Sequence, residues 1–317
     1  MTTGGAVESP SARVGLLQVC AAGVLWGTGG VVVTVLHERD GFGAMTASAW
    51  RMALAAVALI GFSLVTGRWG RTREALRVHP TLVVLVGGGT AAYQGLYFVS
   101  VLMVGVSVAT VVSLGLAPLL AAVWEHLVGQ TRPSGRDVLV LAAALGGLVL
   151  ISVTAGDGAD APGDDPTLGL VLAVLAGTTY AATTVLGHTL ARRVDPVALT
   201  TCGTAAGAVV LLPFLAVAGA RGEPVLTSDP ASLTLLLYLG VATMALSYGL
   251  LYAGLRTTPA SAATIATLVE PLSAAVFAAV ILGERLPWPA LVGGALVLAA
   301  VAALRPNAGE VTAVGAP

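Results

Sequence analysis

Residues 118–124 read PLLAAVW, and residues 271–277 read PLSAAVF. Six of the seven positions agree when Trp and Phe are taken as alike, and the two stretches stand 153 residues apart. The likeness spreads outward. GQTRP at 129–133 parallels GERLP at 283–287 after a one-residue gap, and a Gly pair follows in each half, Gly146–Gly147 and Gly293–Gly294. Self-similarity at such a long offset indicates two related halves in one chain.

Both stretches lie inside apolar runs close to the ~20 residues that a helix needs to cross ~30 Å of hydrocarbon. Ten such runs follow one another: Val14–Leu36, Met45–Thr66, Thr81–Leu102, Val106–Val128, Asp137–Thr154, Leu168–Leu190, Val197–Ala218, Leu233–Leu255, Ala260–Leu282 and Trp288–Leu304. They are apolar all round, whereas a barrel strand alternates apolar and polar over ~10 residues. A helix bonds its own backbone within the segment, as lipid demands. The sequence therefore predicts an all-α polytopic membrane protein of ten transmembrane helices.

Composition agrees. Of 317 residues, 56% are hydrophobic and 10% charged, and the mean hydropathy is +0.92. Soluble domains carry about 25% charged residues, so a water-soluble globule, a disordered tail protein and a nucleic-acid binder are excluded. The formal net charge is -1, and all 15 basic residues are Arg. Without Lys there is no GxxxxGK[ST] phosphate loop, so this chain alone does not drive transport with ATP. Length alone suggests about two domains. Cys20 and Cys202 fall in separate apolar runs, outside any CxxC, and read as small packing residues. The N-terminal stretch to Ala12 has no basic residue and precedes a run too long for a signal peptide, so the first helix is expected to stay as an anchor.

Arg placement sets the orientation. With the N-terminus inside, the inner segments hold eleven Arg and the outer loops hold Arg39, Arg221 and Arg285 only, with Arg51 inside a span. Both termini are expected in the cytoplasm, in the cell membrane. The loop 155–167 (AGDGADAPGDDPT) carries four Asp and no Arg, falls outside, and reads as a flexible linker near the midpoint. The expected organisation is a tail at 1–13, a five-helix repeat at 14–154, the acidic linker at 155–167, a second five-helix repeat at 168–304 and a tail at 305–317. Two similar halves with an odd number of helices must sit in opposite orientations. Secondary transporters often use such inverted repeats and place substrate near the midplane between them.

The ten-helix, two-half arrangement, together with Trp26–Gly27 in the first helix, Trp50–Arg51 early in the second and Glu270–Pro271…Gly283–Glu284–Arg285 around the ninth, resembles the drug/metabolite transporter superfamily, EamA-type. The resemblance covers about residues 14–304. It implies a polytopic inner-membrane carrier, often an exporter of amino acids or other metabolites. The first half departs from the pattern at Gln130 and Thr131, which stand where the second half has Glu284 and Arg285.

Counting from the span ends places Glu270 and Pro271 at the centre of the ninth run, and the repeat partner of Glu270 is Ala117. A charge at bilayer centre costs roughly 2.5–3.5 kcal/mol on insertion scales. Glu270 is therefore a candidate to bind a cationic substrate group or a coupling proton; the alternative is a protonated acid bonded to a neighbouring helix. Pro118 and Pro271 each remove a backbone hydrogen bond, as paired hinges for alternating access or as static curvature. Pro213, without a repeat partner, reads as a bend. Trp26 and Tyr180 sit near the middle of the first and sixth spans, at an offset of 154. The third span offers Tyr93, Gln94 and Tyr97, and the eighth offers Ser247, Tyr248 and Tyr252. Each Tyr pair is spaced i, i+4 and shares a face. Aromatic residues at mid-depth read either as core packing or as the wall of a cavity for a zwitterion or amphiphilic cation. Arg51 either snorkels outward or pairs with a carboxylate. Glu125 and His126 form either a cytoplasmic gate contact or a solvated helix end, and His188 is read likewise. Gly23–Gly27 and Ala143–Gly147 have the small-xxx-small spacing of close helix contacts.

The leading functional reading is a secondary active exporter of a small metabolite, amino acid or drug-like molecule. Its expected partners are the small-molecule substrate, the bilayer, a coupling proton and a second copy in a homodimer, with no cofactor, metal or nucleic acid. A non-transporting receptor or scaffold, or a channel, is the alternative. An intramembrane enzyme would need a metal set or a Ser/His or paired-Asp site, whereas the four His are scattered.

Overall fold

The computed structural model describes residues 10–129, 134–154, 165–282 and 287–304, and its elements there are all helical. In chain order the first nine spans are Ala12–Asp40, Ala44–Val65, Pro80–Val101, Val108–Val128, Gly135–Val153, Pro166–Ala191, Pro196–Ala220, Pro230–Gly254 and Ala260–Ile281. The tenth, Trp288–Ala303, has 16 residues, about 24 Å at 1.5 Å per residue. The expected linker over 155–164, both tails beyond 9 and 305, and Gln130, Thr131, Arg132, Gly283, Glu284 and Arg285 lie outside the described residues.

The span starts have local causes. Asp165, Asp195 and Asp229 each precede a Pro, and each carboxylate accepts the free amides of the first turn, from Leu168, from Val197 and Ala198, and from Ser232. Asp caps the orphan N–H groups and Pro fixes the first helical residue where no N–H is needed. The tight junction between the third and fourth spans turns at Gly105, whose φ of 79° is open to glycine at little cost. An additional helix, Trp69–Val78, runs between the second and third spans. Its many charges hid it from a search for apolar runs. It buries Thr72 and Ala75, and Arg71 reaches Asp195 at 3.3 Å.

Contacts between span ends establish the alternation. On the N-terminal face, Arg71 meets Asp195, Glu125 meets Ser261, His188 Nδ1 lies 2.7 Å from Leu255 O, and Arg136 donates to Ala303 O. On the far face, Arg39 meets Asp229, Trp50 Nε1 donates to Val225 O, and Ser100 donates to Gly169 O. The second half thus enters on the face opposite to the first. The packing follows the same two-fold relation. The second span packs on the seventh, and the fifth on the tenth. The first packs on the eighth and ninth as the sixth packs on the third and fourth. The repeats are inverted.

The core mixes apolar side chains with many small hydroxyl residues, and the outer surface is apolar as well. Ser63, Ser100, Ser113, Ser232, Thr243 and Ser247 are wholly buried, while Val57, Val209 and Val280 are at least 70% exposed on the lipid side. Several inner hydroxyls donate to the carbonyl one turn back, as in Thr90 to Val86, Ser113 to Ala109 and Thr243 to Leu239. Small residues let backbones approach, because lipid supplies no hydrophobic drive between helices.

Arg39 and Asp229 clasp the first span to the eighth at 2.8 Å on the far face. Hydrogen bonds from Arg39 and Ser232 hold the Asp229 carboxyl below its ordinary value of 3.8. A depressed native pKa gives stability that is present above the unfolded value and lost as pH falls through the native one. Acid titration of thermal stability in detergent is therefore expected to show a loss beginning below about pH 4 that Asp229→Asn reduces. Identical acid limbs for the two proteins would refute the assignment.

Candidate functional site

The ninth span is broken at its centre. Helix Ala260–Ala266 ends, Thr267 and Leu268 form a turn, and Val269–Phe277 resumes. The cause is Pro271, which has no N–H to offer Thr267 O four residues back. The amide of Glu270 takes that carbonyl instead, at 2.9 Å. The Thr267 hydroxyl donates to Thr264 O and so accepts from Tyr180 Oη at 2.8 Å. A side chain of the sixth span thereby stitches the break in the ninth. In the first half, by contrast, helix runs unbroken through Pro118, and the departure from helical geometry is at Gly105. The two prolines do not form matching breaks, because the chain around Pro118 keeps its helical course. Pro213 likewise sits inside a continuous helix.

Glu270 is the second residue of the resumed helix and is half-buried. Its carboxylate has no hydrogen bond or ion pair among the described residues, so the bonded-acid alternative finds no partner there. The charges of Glu270 and Arg51 act on each other, and Glu270 also acts on Tyr93, Tyr97, Tyr180 and Tyr248. Glu270 thus lies within electrostatic reach of tyrosines from both halves.

Arg51 turns into the bundle instead of snorkelling out. Its Nη2 donates to Gln94 Oε1 at 3.2 Å. A methyl group on Gly29 would come within 3.6 Å of Arg51 Nη1 and 3.7 Å of Thr243 Oγ1, so the guanidinium crosses from the second span to the first and eighth. There the eighth span carries a π-helical turn, Val241–Leu246. Such turns often mark functional sites, and nothing in the residue pattern signals this one.

The aromatic residues fall into two linked groups. Trp26 and Tyr248 have ring centres 5.0 Å apart, and Tyr248 leads to Tyr252 at 6.0 Å. Tyr93 stacks on Tyr180 at 5.0 Å and neighbours Tyr97 at 6.1 Å, and Tyr97 Oη is bonded to Thr110 at 2.7 Å. Tyr248 and Tyr252 both lie against the Thr90 hydroxyl. Two narrow crevices run here. Met52, Thr90, Thr200, Thr204, Met244 and Tyr252 are among the residues lining one, and Thr90, Tyr93, Tyr180, Thr183, Thr184 and Tyr248 among those lining the other. Each has room for about a single water. A metabolite-sized guest does not fit either crevice as it stands.

Of the residues expected at a cavity, Tyr93, Tyr180, Tyr248 and Tyr252 line the crevices, while Glu270, Arg51, Gln94 and Trp26 meet beside them. Ser247 does not face the crevices; its hydroxyl donates to Thr243 O in its own helix. The sequence reading missed the threonines, Thr90 and Thr267 above all. Their positions opposite Tyr hydroxyls come from helix packing and from no motif. Glu125 is neither free nor solvated. Its Oε1 accepts Ser261 N at 3.0 Å and its Oε2 accepts the Ser261 hydroxyl, so it caps the start of the ninth span from the fourth. Among the described residues, no three His, Cys, Asp or Glu side chains gather as a metal site.

The model of the EamA-like transporter family matches residues 13–153 and again 167–305. "Uncharacterized transporter YwfM" of Bacillus subtilis is 29% identical over 285 residues, 89% of this chain and 90% of the relative. "Uncharacterized inner membrane transporter YicL" of Salmonella typhimurium is 25% identical over 299 residues, 92% and 95% of the two chains. A "Probable terminal-alkyne amino-acid exporter" of Streptantibioticus cattleyicolor is 30% identical over 265 residues, 83% and 84%. A solved crystal structure shares the fold with a TM-score of 0.75 at 17% identity, over 93% of this chain and 96% of that one.

Proposed function

Because the chain belongs to the EamA-like transporter family and is a multi-pass membrane transporter, we propose that it is a secondary active exporter of a small metabolite, an amino acid or a drug-like molecule, working by alternating access. The observation that carries this reading is Glu270: a carboxylate in the middle of the ninth span, without a bonded partner among the described residues and within electrostatic reach of Arg51. Such a group binds a cationic substrate group, a coupling proton, or each in turn. The break at Thr267–Leu268 gives the ninth span a hinge beside that carboxylate, and the inverted repeats supply two exchangeable conformations. The Arg bias places both termini in the cytoplasm of a cell whose surface membrane holds the protein. The name of the Streptantibioticus relative favours an amino acid as cargo. The two five-helix units, 14–154 and 168–304, are the bodies that rock against each other.

Reconstituted proteoliposomes test this. With a radiolabelled terminal-alkyne amino acid and a panel of common amino acids, uptake is expected to saturate and to accelerate when the same compound is trapped on the other side. Saturation with trans-acceleration marks a carrier. Linear flux without counter-transport would indicate a channel, and no flux of any panel member would overturn the assigned cargo class.

A further inference from the structure

Beside Glu270 the structure holds a set of polar atoms that nothing in the fold satisfies. Trp26 Nε1, Arg51 Nε and Gln94 Nε2 are all buried from solvent and have no hydrogen-bond partner among the described residues. Gln94 is 4% exposed and Trp26 7%. All three atoms are N–H donors without acceptor capacity. Buried polar groups in folded proteins are nearly always paired, and each orphan costs free energy comparable to a lost hydrogen bond. Three orphans of one type in one place call for a single explanation.

They do share one place. Arg51 Nη2 donates to Gln94 Oε1 at 3.2 Å, which joins the second span to the third and leaves the amide's NH2 to find another partner. Gly29, which a methyl group would bring within 3.6 Å of Arg51 Nη1, is one helical turn beyond Trp26 on the same face. The Trp26 ring packs at a tilt against Tyr248, and Tyr248 feels the charges of both Arg51 and Glu270. These contacts place the three residues around the junction of the first, second, third and eighth spans, with Glu270 of the ninth within electrostatic reach of Arg51.

We infer that Trp26, Arg51 and Gln94 form a subsite for the carboxylate of the transported molecule, separate from the Glu270 position that takes its cationic end. A carboxylate accepts several hydrogen bonds and carries no donor, which complements three unpaired N–H donors, one of them on a guanidinium. The subsite requires a ligand with an anionic head, and together with Glu270 it selects zwitterions over plain amines. This inference rests on the carrier reading for the identity of the bound molecule. The donor set itself stands on the geometry.

The discriminating probe is a terminal-alkyne amino acid against its primary carboxamide, which keeps the shape and replaces one acceptor oxygen by a donor NH2. Binding is measured by calorimetry on the full-length protein in detergent. The acid is expected to bind about tenfold or more tightly than the amide, since a site with unpaired polar groups rejects the wrong partner. Trp26→Phe, Gln94→Met and Arg51→Lys are each expected to weaken the acid roughly tenfold while leaving the amide within about twofold, a split that general loss of packing would not produce. Equal affinity for acid and amide, parallel loss of both in the variants, or binding of neither overturns the subsite. Acid binding with the expected split but no flux in proteoliposomes would sink the transporter reading and keep the subsite. Flux without acid–amide discrimination would do the reverse.

Discussion

Glu270→Gln is expected to slow saturable transport by about a hundredfold or more and to abolish its response to an imposed pH gradient. The magnitude follows from leaving a bound cationic group without its buried counter-charge, which costs several kcal/mol. The side chain changes by one atom, so packing around the broken ninth span is preserved. The measurement is initial uptake into proteoliposomes at equal protein density, with circular dichroism to verify helix content. Glu270→Asp is the companion variant. It keeps the acid on a shorter arm and is expected to retain a pH-dependent residual flux. Wild-type flux and wild-type pH response in Glu270→Gln would remove both the proton and the cationic group from this residue.

The second large effect is structural. The fifth and tenth spans cross with Gly147 and Gly293 face to face. A Cβ on Gly147 would stand 2.6 Å from Gly293 O, and one on Gly293 would stand 2.7 Å from Gly147 O. Neither obstacle can rotate away, because both are backbone. Gly147→Leu or Gly293→Leu must push two helices apart, and overpacking of a tight contact costs about 1–3 kcal/mol or more. The expected result is a fall in Tm of several degrees for either variant, or failure to purify as a folded protein. Gly146 supplies the control: a Cβ there meets nothing within 4 Å. Gly146→Ala is expected to be neutral or stabilising, since Ala is the better helix former. Equal Tm values for Gly147→Leu and Gly146→Ala would show that the crossing is not close-packed.

The number of spans, their approximate ends and the inversion of the halves were legible in the sequence, since each follows from a one-dimensional rule. Hydrocarbon thickness sets run length, Asp–Pro sets helix starts, and an odd helix count per half forces inversion. Even the Gly pairs of the two short helices stood in view, although not their contact. The charged helix Trp69–Val78 escaped because its signal is amphipathic and short. The π-turn at Val241–Leu246 escaped because those residues are ordinary helix formers whose register is shifted by their neighbours.

Sequence alone could not decide which way Arg51 points, that Gln94 spends its oxygen on that guanidinium, that Glu125 caps a helix from the other repeat, or that Pro118 leaves its helix whole while Pro271 breaks one. Each depends on what another span, distant in the chain, presents at the same depth. Hydrophobicity and helix geometry specify where a segment lies along the membrane normal. The rotation of each helix about its own axis is fixed only when all ten pack together.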